Sequence, residues 1–101
     1  MNEEKISELQ KEYGFTDMQE KINSGDAWRL EGSCGRAAMD LLESGACMLP
    51  KVVRLDYYGN RVPSRDMLQA GSKGSYQNCV NFWTKVENGE IDLTPVSEME
   101  E

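Results

Sequence analysis

Apolar residues return at helical spacing in three long stretches of this chain and alternate at period two in only one. That pattern confines it to a helix-rich fold with little sheet. Ile6, Leu9 and Tyr13 make one narrow stripe, and Gly14 stands where a left-handed residue closes a helix, so a helix is predicted from about Asn2 to Tyr13. Thr16-Asp17-Met18-Gln19 reads as a capping box opening a short helix through Ile22, closed by Asn23-Ser24-Gly25. Asp26 is the next cap. Ala27, Leu30, Cys34, Ala37 or Ala38, and Leu41 then hold helical spacing, which predicts one continuous helix from Ala27 to about Ser44. Gly32 and Gly35 would be small surface residues that let another helix approach. The other reading makes Gly32-Ser33-Cys34-Gly35 a loop, with a new helix near Arg36. Periodicity outranks isolated glycines, so the continuous helix is the expectation, and Gly45 ends it in both.

Val53, Leu55 and Tyr57 alternate, marking the best strand, with Tyr57 on the core-side phase and Tyr58 on the surface. Tyr58-Gly59-Asn60-Arg61 suggests a two-residue turn with glycine first, and Pro63 limits the return strand. Ser64 is placed to cap a short turn through Leu68. Gly71-Ser72-Lys73-Gly74-Ser75 reads as a link ending in a helix cap. Tyr76, Cys79, Val80, Trp83 and Val86 follow as an amphipathic helix stopped by Asn88-Gly89. The expected fold is α+β and helix-rich: three to four helices packed with a short β-hairpin at residues 51–63. Residues 1–95 form one small domain in this reading, and 96–101 an acidic frayed tail.

Charge is sorted along the chain. Residues 1–44 carry ten acids and five bases, residues 45–86 six bases and two acids, and residues 87–101 six acids and no base, which sums to −7. A basic centre that also holds Tyr57, Tyr58, Tyr76, Phe82 and Trp83 suits an anionic, flat-ringed ligand. Hydrophobic residues make up 39% of 101 positions, a thin supply for a core, so self-association is an expected way to complete burial. No run of residues is apolar enough to span a bilayer, and the acidic start is unlike a signal peptide, so no membrane partner and a cytoplasmic location are expected. Cys34, Cys47 and Cys79 match no zinc or redox spacing and read as reduced thiols in an interior. With no histidine in the chain, His-based acid–base chemistry, Ser/His and Cys/His pairs and the commonest metal ligand are all missing. No catalytic residue, cofactor or metal is expected.

Four segments are candidate sites. Gly71–Ser75, with Lys73 and the helix start at Tyr76, has the makings of an anion-binding nest, although a plain capped linker is the simpler reading. The hairpin offers Arg54, Arg61 and Arg65 as forks for phosphate or carboxylate and Tyr58 as a stacking surface. Against this stands the reading in which those arginines pair with the acidic N-terminal helices and hold the fold. Gly32–Arg36 is either a second nest or a helix crossing between subunits. Trp83 belongs to the core stripe, whereas Phe82 falls off it and is the better contact residue. The combined ligand-binding set is Arg54, Tyr58, Arg61, Arg65, Lys73 and Ser75.

The segments Trp28-Arg29-Leu30-Glu31-Gly32-Ser33 and Asp56-Tyr57-Tyr58-Gly59-Asn60-Arg61-Val62-Pro63-Ser64-Arg65 give the chain a texture that resembles the short uncharacterised proteins carried by bacteriophages and prophages. The resemblance implies a bacterial host cytoplasm, a non-enzymatic accessory role and interference with a host defence component. Together these features point to a small non-catalytic binding protein for an anionic small molecule, a nucleotide or a nucleic-acid end, with sequestration of a nucleotide signal as its purpose. The rival readings are a protein–protein inhibitor or adaptor acting on a host protein through an acidic helical face, and a homo-oligomeric structural or assembly protein.

Overall fold

The computed structural model describes residues 1–29 and 32–95. It has the helix-rich α+β architecture, with four α-helices and one two-stranded antiparallel hairpin among the described residues. The expected tail at 96–101 and the Leu30–Glu31 part of the predicted helix lie outside the described residues.

Helix α1 spans Glu3–Tyr13. Asn2 caps it, its side-chain oxygen accepting from the Lys5 amide at 2.8 Å, and Gly14 closes it by donating its amide to Gln10 O. Helix α2 spans Thr16–Ser24, but the predicted capping box is absent: Phe15 occupies the cap position and no side chain caps the helix. Only Gly14 and Phe15 separate the two helices, and the Phe15 ring is set edge-on to Trp83 with centroids 5.8 Å apart. That contact leaves Thr16 inside the helix and turns Gln19 toward the interior, where it is 7% exposed.

The continuous helix expected from Ala27 does not form. Asp26–Trp28 is a single 3-10 turn, and helix α3 begins at Gly32 and runs to Ser44. The Trp28 carbonyl accepts from the Tyr57 amide at 3.1 Å, so the hairpin takes the group that a continuing helix needs. The alternative start near Arg36 is not observed either, since Gly32–Arg36 is helical. A Cβ on Gly35 would stand 3.5 Å from Ala27 O, so that side of the glycine faces the turn within the same chain.

The centre of the molecule is an irregular segment, Ala46–Pro50, buried throughout. Ala46 and Met48 enter one apolar cluster with Ile6, Leu9, Cys79, Trp83 and Val86, while Cys47 and Leu49 enter a second with Ile22, Ala27, Ala38 and Leu42. Successive side chains of the segment thus turn to opposite sides, and the core is divided in two. The segment joins no sheet, so its backbone polar groups need other partners. Ala46 O accepts from Gln10 Nε2 at 2.9 Å and Trp83 Nε1 at 3.1 Å. Gln19 brackets Met48, accepting from its amide at 3.0 Å and donating to its carbonyl at 2.7 Å. Leu49 donates to Gly74 O at 2.9 Å and accepts from Arg65 Nε at 2.6 Å.

Helix α4, Tyr76–Glu87, packs Cys79, Trp83 and Val86 inward, as its stripe predicts. Phe82 is half-buried and edge-on to Trp83 at 5.0 Å, so it is a packing residue and not the free contact surface expected of it. Its Cβ sits against the end of α3: a Cβ on Gly45, where φ is +101°, would lie 2.7 Å from it and 2.6 Å from Asn78 O. Only glycine lets the two backbones approach this closely.

Strands β1, Arg54–Leu55, and β2, Arg61–Val62, pair with Arg54 opposite Val62 and Leu55 opposite Arg61. The loop between them is longer than the expected two-residue turn. Asp56 donates its amide to Asn60 O at 2.9 Å, and Gly59, with φ +81°, donates to Asp56 O at 3.0 Å, the pattern of a hairpin with a glycine bulge. The Asp56 carboxylate fixes that shape by accepting from the Tyr58 and Asn60 amides at 2.9 and 2.8 Å. The predicted phase is also overturned. Val53, Leu55 and Tyr57 are 40%, 52% and 74% exposed, and it is Val62 that packs against the second cluster.

Candidate functional site

The acidic helices and the basic centre do meet, through a few defined contacts. Glu3 on α1 bridges Lys51 at 3.0 Å and Arg65 at 3.1 Å, and Lys73 reaches Glu43 at 3.7 Å, while Lys5–Glu87 at 3.4 Å ties the two acidic segments to each other. The hydrogen bond from Lys51, assisted by the Arg65 charge and opposed by partial burial, holds the Glu3 carboxyl below its ordinary pKa. Arg65 is committed to these internal contacts. It is 9% exposed, and its guanidinium spans Leu49 O and Glu3.

The other five residues of the expected set divide by place. Arg54 lies on the inward face of β1 and donates from Nε to Asn23 O at 2.8 Å, at the carbonyl end of α2 where a cation is favoured. Ser75 is buried as the cap of α4, accepting from the amides of Asn78 at 3.1 Å and Gly71 at 3.2 Å. The linker before it does not present a ring of open amides, because Ser72, Gly74 and Ser75 donate to Gln69 O, Leu42 O and Ser72 O. Tyr58 is 84% exposed at the hairpin tip and meets Tyr57 edge-to-face, with centroids 5.2 Å apart. Arg61 and Lys73 are brought together at one cleft.

That cleft has a volume of about 510 Å³. Its walls are apolar: Trp28, Met39 and Leu42 from the 3-10 turn and α3, Leu49 from the buried segment, and Val62, Pro63 and Leu68 from the hairpin and the turn after it. Arg61, Lys73, Asp56 and Ser72 supply the polar lining. Arg61 is exposed and has no ion-pair partner among the described residues. The Trp28 indole nitrogen is buried and finds no hydrogen-bond partner among the described residues, an uncommon state for a buried donor. An apolar pocket of this size with a few polar groups at its rim is the usual form of a small-molecule site.

Sequence reasoning selected Arg61 and Lys73 but missed the cleft's walls. Met39 and Leu42 come from α3, Leu49 from the buried segment and Leu68 from the turn after the hairpin, and no local motif joins the three. Gln10 and Gln19 were missed as well, although Gln10 stands at i+4 from Ile6 on the apolar side of α1, a polar residue in a core position. Gln19 also accepts from Gln10 Nε2 at 2.8 Å and donates to Asn23 at 2.9 Å, so it makes four hydrogen bonds. The cysteines offer no exposed nucleophile in the core. Burial pushes the Cys47 and Cys79 thiols up to about 12. Among the described residues no group of three or more cysteine, aspartate or glutamate side chains could hold a metal ion, and no helix is long and apolar enough to cross a membrane. No protein-family model, curated protein or solved structure matches this chain.

Proposed function

We propose that this chain is a small non-catalytic binding protein that holds an anionic, ring-bearing small molecule in the cleft between α3 and the hairpin. Nucleotides are the first candidate class. The observation that carries the reading is the pairing of apolar walls with two cations, of which Arg61 is in no ion pair among the described residues, while the one lining carboxylate, Asp56, is taken up by the Tyr58 and Asn60 amides. The ring lies against Trp28, Leu42 and Leu68, and the anion meets Arg61 and Lys73. In the phage-protein reading, the purpose is sequestration of a nucleotide signal in a bacterial host.

Thermal-shift and calorimetric titration with mononucleotides, dinucleotides, cyclic nucleotides and aromatic carboxylates tests this, at low and moderate salt. A ligand present at 100 times its Kd raises stability by about 2.7 kcal/mol, a readily measured shift. Arg61→Ala should weaken binding about tenfold or more, the usual worth of a charge-assisted hydrogen bond, with little change in the unliganded melting temperature. Lys73→Ala should weaken it less, because Glu43 already shares that charge. Binding unaffected by Arg61→Ala, or silence across the panel, refutes the assignment.

A further inference from the structure

The geometry points to a second occupant for the same cleft: the hairpin tip of another copy of this chain, exchanged reciprocally so that each copy's Tyr57–Tyr58 pair seats in its partner. This rests on the reading of the cleft as a receptor for a ring with a polar group. Tyr57 and Tyr58 are 74% and 84% exposed and touch each other, and Val53 and Leu55, close by in the chain, are exposed as well. Such a cluster of large apolar side chains on a small protein marks an interaction surface. The tip is preorganised, since Asp56 accepts from two loop amides and from the Gly59 amide, so little order is lost on docking. Extension of the sheet is disfavoured: the Tyr57 amide already donates to Trp28 O, and Pro63 has no amide to offer. Contact is therefore made by side chains.

Knob and hole lie side by side, because Asp56, at the base of the tip, and Arg61, across from Leu55, both line the cleft. A two-fold axis needs such self-complementarity, with the same patch supplying both halves of the contact. The chemistry matches. The Arg61 guanidinium, exposed and in no ion pair among the described residues, can stack on an aromatic face. Two tyrosines largely buried remove roughly 300 Å² from water. The cleft walls they cover lose a comparable area, so each copy buries on the order of 600 Å², below the roughly 800 Å² per partner of a standard interface. A weak dimer follows, with Kd on the order of 10–100 μM.

Sedimentation equilibrium and light scattering, from about 1 μM to 1 mM to bracket that Kd, test the exchange. The mass should climb from 11.4 kDa toward twice that value. Tyr57→Ser/Tyr58→Ser, which leaves the cleft intact, and Leu68→Arg, which fills it, should each weaken association at least about 30-fold. Both should keep the wild-type circular dichroism spectrum. A small anion that binds the cleft should compete with dimerisation. A wild-type chain that stays monomeric at 1 mM, or a dimer that survives the double tyrosine variant, overturns the proposal. A dimer lost in both variants, with no hit in the anion panel, supports the exchange and refutes the small-molecule reading alone.

Discussion

Replacing Gln19 with leucine removes the partner of the Met48 amide and the Met48 carbonyl, both inside the molecule. Gln10 keeps its bond to Ala46 O, so two backbone groups are left unpaired. Each such group costs about 1–3 kcal/mol, and the leucine recovers about 1 kcal/mol by burying more apolar surface, for a net loss of roughly 3 kcal/mol. Total stability of a chain this size is about 5–10 kcal/mol, so the fraction lost is large. With a urea m-value of about 1–1.5 kcal/mol/M, the unfolding midpoint should fall by about 2 M. Gln77→Leu is the matched comparison, because Gln77 makes an exposed bond to Asn81, and it should change stability by no more than about 0.5 kcal/mol. Gln19→Glu adds a second readout. An ionised carboxylate would face the Met48 carbonyl, whereas a protonated one can donate to it. The folded-state pKa of this glutamate is therefore raised, and its contribution is present at low pH and lost as pH rises through that value. The variant should recover stability relative to wild type as pH falls from 7 to about 4.5, just above a glutamate's ordinary pKa of about 4.3. A loss within about 0.5 kcal/mol for Gln19→Leu would show that the central segment does not depend on this side chain.

Three further outcomes follow from the packing and the charges. Gly45→Ala should cost about 1–3 kcal/mol more than Gly59→Ala in urea unfolding, because both carry positive φ but only Gly45 meets Asn78 O and Phe82 Cβ; equal losses would refute the close approach. A thiol reagent should modify half-buried Cys34 first and reach Cys47 and Cys79 only on unfolding, and stability should decline as pH rises above about 9, since the unfolded thiols ionise while the folded ones hold their protons up to about 12. Parallel labelling of all three cysteines would contradict that. The lowered Glu3 pKa makes its contribution complete above the ordinary carboxylate range and lost as pH falls through the depressed value, so Glu3→Gln should be less stable than wild type at pH 7 and converge with it near pH 2, below both states' titration.

Periodicity and composition determine much of this fold. Helical stripes marked α1 and α4 to within a residue of their ends, and Ser75 was identifiable as a cap because a hydroxyl before an amphipathic run has a local use. The same local logic failed where a distant group competes. Thr16–Gln19 has the sequence of a capping box, but Gln19 is drawn inward by Met48, 29 residues away. The stretch from Ala27 keeps helical spacing, yet Trp28 gives its carbonyl to the hairpin. Val53, Leu55 and Tyr57 alternate as a half-buried strand should, but they face solvent, since nothing local says which side of a two-residue strand meets the core. Charge sorting showed that acidic and basic segments should attract, while only the folded arrangement divides the basic residues between internal use and surface. Arg65 is enclosed against Leu49 O and Glu3, and Arg61 is left at the mouth of a cleft. The cleft joins residues from 28 to 73, and convergence over that distance is a property of packing that no spacing in the chain records.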